Sequence, residues 1–107
     1  MFGDKDKKKG DLQMNGFIGK GITIIGKLGF EGSVRIDGNF NGEIDAINGT
    51  LIVGEGADIE AKIKVDTAII SGELRGMLEA KAKVELRAPG RMYGNIKTPN
   101  LVIGEGV

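Results

Sequence analysis

A short apolar–polar segment that returns every 16 or 17 residues limits what this chain can fold into. Val34-Arg-Ile-Asp-Gly, Leu51-Ile-Val-Gly-Glu-Gly, Ala68-Ile-Ile-Ser-Gly, Val84-Glu-Leu-Arg-Ala and Leu101-Val-Ile-Gly-Glu-Gly are versions of one unit, and their starts lie 17, 17, 16 and 17 residues apart. A unit this short cannot bury its apolar side alone and must stack on its neighbours. The stretch from Val34 to Val107 therefore reads as a stack of windings.

Within each winding apolar residues fall at mostly even spacing, as in Leu51, Val53, Ala57, Ile59, Ala61, Ile63 and Val65. Alternation of this kind puts Asp58, Glu60, Lys62 and Lys64 outward and the apolar set inward. Glycines such as Gly38, Gly54, Gly72, Gly90 and Gly104 fall between segments of about four to six residues, as sharp bends require. Asp37-Gly38 and Asn48-Gly49 are hairpin-like turns but do not recur at hairpin spacing, which leaves a β-sandwich as the weaker alternative. The pattern predicts an all-β parallel β-helix of about five windings, with three short strands in each. Successive windings lie about 4.8 Å apart. Ile36, Val53, Ile70, Leu86 and Ile103 then form one inward column. The middle residues Arg35, Ile52, Ile69, Glu85 and Val102 form a second column, in which Ile52 and Ile69 have two readings. Local bulging tucks them inward, or they stand outward as a lateral contact between molecules.

Composition agrees with such a core. Aromatic residues are only 5% of the 107, with no Trp, so Ile, Val, Leu and Ala must fill the interior, while Gly reaches 19. Lysine and arginine number 15 against 15 acidic residues, which gives no general case for nucleic-acid binding and weakens self-repulsion. There is no cysteine and no histidine. That removes thiolate chemistry, the commonest general base and the usual metal ligand. The hexapeptide-repeat acyltransferases and carbonic anhydrases, the strongest enzyme rivals with coiled β repeats, generally need histidine and keep a strict six-residue rhythm. Glu43, Asp58, Glu60, Glu73 and Glu79 alternate with apolar residues as a solvated strand face does. Gly19-Lys-Gly21 lacks the framework of a phosphate loop. Ca²⁺ at these carboxylates lacks the nine-residue pattern of calcium β-rolls, and an ice-binding face lacks a threonine ladder, with only Thr50 and Thr67 in register. The expectation is a non-enzyme with no catalytic, cofactor or metal site.

Residues 1–16 have no periodicity and read as a flexible tail ahead of the β-helical domain at 17–107. Two readings of the tail stand side by side. It is a solvated leader, or it tethers the chain to an anionic membrane surface through Met1 and Phe2 with Lys5, Lys7, Lys8 and Lys9. Many such weak tails on one polymer would bind together. No apolar run is long enough to span a bilayer.

Ile18-Gly-Lys-Gly-Ile-Thr-Ile-Ile-Gly, Glu31-Gly-Ser-Val-Arg-Ile-Asp-Gly-Asn-Phe-Asn-Gly-Glu-Ile, Thr50-Leu-Ile-Val-Gly-Glu-Gly-Ala, Lys83-Val-Glu-Leu-Arg-Ala-Pro-Gly-Arg-Met-Tyr-Gly-Asn-Ile and Thr98-Pro-Asn-Leu-Val-Ile-Gly-Glu-Gly together resemble the bactofilins. The resemblance implies a right-handed parallel β-helix, and the right hand agrees with the general rule for parallel crossovers. It also implies end-to-end polymerisation without nucleotide, membrane binding through a short N-terminal segment, and scaffolding of cell-shape or envelope machinery. Family members usually continue past Gly-Glu-Gly with a further short apolar strand, so against that pattern the C-terminus reads as shortened.

A β-helix leaves open backbone edges at both ends, and open edges invite another chain. No strongly polar helical cap is readable at either end. The expected polymer interface is Ile22, Ile24 and Ile25 at one end and Leu101, Val102 and Ile103 at the other. The expected role is a cytoskeletal scaffold that binds itself, lies cytoplasmic and peripheral at the bacterial inner membrane, and gathers envelope or cell-shape proteins there, with no nucleotide or nucleic-acid partner. The alternative is a monomeric β-helical module that presents its charged face to a protein or polysaccharide.

Overall fold

The computed structural model describes residues 16–105, the side chain of Ile47 aside. These form strands β1 Gly16–Ile18, β2 Thr23–Gly29, β3 Gly32–Ile36, β4 Asn39–Val53, β5 Asp58–Ile70, β6 Glu73–Leu86, β7 Arg91–Lys97 and β8 Leu101–Ile103, with no helix among them. All the pairings are parallel: β1 with β3, β2 and β3 with β4, β4 with β5, β5 with β6, and β6 with both β7 and β8. Each segment thus lies on the one a winding earlier, and the chain coils into a β-solenoid of about five turns.

The register is the one the repeat dictates. Ile18, Ile36, Val53, Ile70, Leu86 and Ile103 stack in one column on a first face. Ile24, Phe40, Ile59, Leu74 and Met92 stack on a second, and Leu28, Ile44, Ile63, Leu78 and Ile96 on a third. The three columns converge on a core in which the buried side chains among the described residues are all apolar. Burying each of these Val, Leu, Ile or Phe side chains contributes about 1.5–3 kcal/mol, and this term holds the stack together.

The strands are longer than the glycine spacing suggests. β4, β5 and β6 run for 15, 13 and 14 residues and pass two of the three corners without ending, although at one of the two the register with the next winding shifts. The corner between the second and third faces is made by Gly26, Gly42, Gly76 and Gly94, with φ between 127° and 145°. These glycines share one column with Ala61. A Cβ on Gly42 would land on the carbonyl oxygen of Gly26, and one on Gly76 would land on that of Ala61. Backbone there passes too close for a side chain.

The corner between the first and second faces does interrupt the strands, and its length alternates. Residues 19–22, 54–57 and 87–90 make four-residue connections, whereas 37–38 and 71–72 make two-residue ones. The long connections close on themselves: the N–H groups of Ile22, Ala57 and Gly90 donate to the carbonyls of Gly19, Gly54 and Arg87 at 3.3, 3.1 and 2.7 Å. The short ones nest against them, and the N–H groups of Asn39 and Glu73 donate to the carbonyls of Ile22 and Ala57 at 2.9 and 3.0 Å. The third corner compensates, with residues 47–49 extra between Ala46 and Thr50 but Asp66 alone between Val65 and Thr67. Windings of nearly equal length are therefore built from unequal corners.

Candidate assembly surfaces

Among the described residues, each end of the solenoid is a ladder with one unpaired side. At the N-terminal end β1 pairs β3 and β2 pairs β4, and neither has a second neighbour among the described strands. Ile24 and Leu28 occupy inward columns here, are covered from one side and are only partly buried, with Phe30 beside them. Of the three residues expected at this end, Ile24 therefore lies in the end of the core. Ile22 lies in the exposed corner turn. Ile25 points outward, 81% exposed, in a column with Asn41, Glu60, Arg75 and Tyr93. Ile18, Leu28 and Phe30 were absent from the expected set. The signal for Ile18 and Leu28 was the column itself, since Ile18 aligns with Ile36 and Leu28 with Ile44 once the register is counted back one winding.

At the C-terminal end β8 lies on β6, and so does β7. Leu101 and Ile103 continue inward columns yet are exposed, Ile103 by 57% where Ile70 in the same column is 0%. The difference is that no described strand lies on the far side of β8. Val102 belongs to the outward column and is exposed for a second reason. Met92 and Ile96 end the other two columns and are partly buried. This end is stepped, because the first face carries one segment more than the other two.

The middle column of the first face points outward. Phe17, Arg35, Ile52, Ile69, Glu85 and Val102 stack in register. Leu51 and Val53 on either side of Ile52, and Ala68 and Ile70 on either side of Ile69, are fully buried, so alternation sends Ile52 and Ile69 outward. Both are partly covered by their column neighbours. No bulge interrupts the ladder at either position; the register shifts lie earlier in the windings.

Charges on this face are organised in pairs. Arg35 Nε donates to Asp37 Oδ2 at 2.9 Å, and Arg87 Nε donates to Glu85 Oε2 at 2.7 Å. The Asp37 carboxylate raises the Arg35 pKa through that bond. The Arg87 hydrogen bond holds the Glu85 carboxyl below its ordinary range against the opposing effect of burial, with lesser help from the attraction of Arg87 and Lys83. On the other faces Lys27, Glu43 and Lys62 share a column, as do Asp45, Lys64, Glu79 and Lys97. Their signs alternate along the axis, with ion pairs such as Lys27–Glu43 at 3.7 Å within a column and Arg75–Asp58 at 2.9 Å between two columns. Such ladders offer no single-sign track to a charged polymer.

No group of three His, Cys, Asp or Glu side chains is placed to hold a metal ion among the described residues. No described helix is long and apolar enough to cross a membrane. The tail residues Met1, Phe2, Lys5, Lys7, Lys8 and Lys9 lie outside the described residues, and β1 begins at Gly16, one residue before the expected boundary.

Residues 16–107 match the bactofilin family, described as polymer-forming cytoskeletal. The chain is 35% identical over 92 residues to bactofilin BacP of Myxococcus xanthus, a match that covers 86% of this chain and 38% of that protein. It is 31% identical over 100 residues to bactofilin BacO of the same organism, covering 94% of this chain and 79% of that one. No solved structure matches it significantly.

Proposed function

The chain belongs to the bactofilin family, and on that premise we propose that it is a non-enzymatic scaffold whose solenoids join end to end into filaments without nucleotide. The observation that supports this reading is the pair of open apolar ends: Ile24 and Leu28 at one, Leu101 and Ile103 at the other, each in a column that is fully buried further in. Covering an exposed half of one such side chain contributes about 1 kcal/mol. A further segment also pairs the backbone groups that the edge leaves to solvent. Filaments would multiply the N-terminal tails, so that Phe2 and the lysines around it, each weak alone, hold the polymer at the cytoplasmic face of the inner membrane. There the scaffold gathers envelope or cell-shape proteins.

Negative-stain electron microscopy in nucleotide-free buffer tests the assembly. The parent protein is expected to form filaments and the Leu101→Arg, Ile103→Arg variant to give separate particles, because two guanidinium groups cannot be buried unpaired at the contact. Persistent monomers in the parent would reject the scaffold and favour a monomeric binding module. Flotation with vesicles containing anionic lipid tests the tail: the parent polymer should rise with the vesicles, and Phe2→Ser should leave it at the bottom of the gradient.

A further inference from the structure

In two of its three outward columns the first face carries charges whose signs invert when the order of the segments is reversed. Its outward side chains lie in three columns. Ser33, Thr50, Thr67 and Lys83 form one. Phe17, Arg35, Ile52, Ile69, Glu85 and Val102 form the middle one. Asp37, Gly54, Ser71 and Arg87 form the third, in which the N–H of each donates to the carbonyl of the residue that ends the segment below, at 2.7–2.9 Å. The second segment reads Arg35-Ile36-Asp37 and the fifth reads Glu85-Leu86-Arg87, so the same two positions carry opposite signs. The third and fourth segments between them carry Ile52 and Ile69 with no charge.

We propose that this face pairs with the same face of a second copy whose axis runs antiparallel. Two sheets that face one another can be related by a twofold axis along the strand direction, midway between the segments of Ile52 and Ile69. That operation keeps position along the strand and reverses the order of segments. Arg35 then meets Glu85 of the second copy, Asp37 meets Arg87, Ile52 meets Ile69, and Phe17 meets Val102. Every contact occurs twice, as an isologous interface requires. With parallel axes and the twofold on the middle column, Arg35 would face Arg35 and Glu85 would face Glu85, which like-charge repulsion disfavours. With the twofold between the middle and third columns the charges would match, but Ile52 would face Gly54 and Ile69 would face Ser71 instead of each other. Gly54 makes room for the Asp37 carboxylate, which lies where a Cβ would stand, with the Arg35 guanidinium beside it, and the short Ser71 leaves Ile69 unobstructed on that side.

Area sets the strength. Six segments about 4.8 Å apart, each presenting about five residues of about 3.3 Å, span roughly 450 Å² per copy. A stable complex needs about 800 Å² per partner. One pair of isolated chains is therefore transient, and firm pairing rests on the end-to-end assembly proposed above, which repeats the contact along two filaments.

Thiol cross-linking reads the face whether or not filaments form, because the chain has no cysteine of its own. Full-length Ser33→Cys and Lys83→Cys proteins are mixed in equal amounts and treated with a bismaleimide of about 10 Å span, the distance between packed sheets. The mixture should yield cross-linked dimer at least about fivefold above either protein alone. In the pairing, residue 33 of one copy faces residue 83 of the other but lies three segments, about 14 Å, from its own equivalent. No product in the mixture, or equal product in the unmixed samples, overturns the pairing.

A charge exchange supplies the second arm. Glu85→Arg with Arg87→Glu, introduced into both cysteine proteins, keeps the ion pair within the segment and the net charge but sets like charges across the interface. Product should return to the level of the unmixed samples. Adding Arg35→Glu with Asp37→Arg should restore it; failure to restore it in protein that melts like the parent overturns the charge argument. Micrographs of the same samples separate the two proposals. Absence of filaments rejects end-to-end assembly, whereas single-width filaments with no cross-linked product reject the lateral pair alone.

Discussion

Gly42 shows how a single residue is fixed by the stack rather than by its own segment. Its φ of 145° and the carbonyl of Gly26 one winding below leave no room for a methyl group. Gly42→Ala should lower stability by about 2–3 kcal/mol, read as a fall in thermal midpoint, since both the backbone strain and the contact with a neighbouring backbone act together. Ala61 marks the exception in that column, with its Cβ turned into the core and ordinary φ. Ala61→Gly should cost about 0.5–1 kcal/mol through chain entropy. Glu85 makes a finer test. Its carboxyl is held low chiefly by the hydrogen bond from Arg87, so its native pKa lies below that of the unfolded chain. The sign follows: its stabilising effect is complete above the unfolded value of about 4.3 and is lost as pH falls through the native value. Carboxyl titration by NMR should place Glu85 below the ordinary glutamate range, and Arg87→Ala should move it upward.

At the scale of the strands, inward residues in the middle of a column should matter far more to folding than their equivalents at its end. Ile70→Ala removes a side chain that is 0% exposed and should destabilise by about 2–5 kcal/mol in denaturant unfolding. Ile103→Ala, in the same column but exposed, should cost well under 1 kcal/mol in unassembled protein and act on assembly instead. The columns themselves were legible in the sequence, because a side chain's position in Val34-Arg-Ile or Leu51-Ile-Val fixes both its face and its partner a winding away. The corners were less so. Glycine spacing suggested breaks at each bend, yet Gly42 and Gly76 turn β4 and β6 without ending their ladders. The alternation of four- and two-residue connections was hidden because the third corner offsets it, leaving 17, 17, 16 and 17 as the visible period. The end surfaces were half legible: Leu101 and Ile103 stood out as an apolar terminal segment, whereas Leu28 was recognisable only after its register with Ile44 was known.

For the whole molecule, stacking makes protection a matter of distance from the ends. β4, β5 and β6 each have neighbours on both sides and enclose the buried columns, whereas β1, β2, β7 and β8 have one neighbour each among the described strands. In a stacked repeat the terminal units open at lower free energy than the interior ones. Amide hydrogen exchange on unassembled Leu101→Arg, Ile103→Arg protein should therefore show slow exchange across β5 and the central parts of β4 and β6, with faster exchange in β1, β2, β7 and β8. The proposed assembly would give those outer strands a second neighbour, which none has among the described strands. In the parent polymer, amides of β2, β7 and β8 should slow by at least about tenfold, equivalent to about 1.4 kcal/mol of added local stability, while β5 changes little. The same experiment separates the two modes of contact. End-to-end joining protects strand-edge amides that had no partner, whereas lateral pairing through Arg35, Ile52, Ile69 and Glu85 covers side chains whose backbone groups are already paired in the ladder. Slowing confined to the outer strands identifies the ends as the filament contact. Polymer whose outer strands exchange as fast as those of the unassembled protein would require the contact to lie on the sides of the solenoid, and the apolar ends would then lose their assigned role.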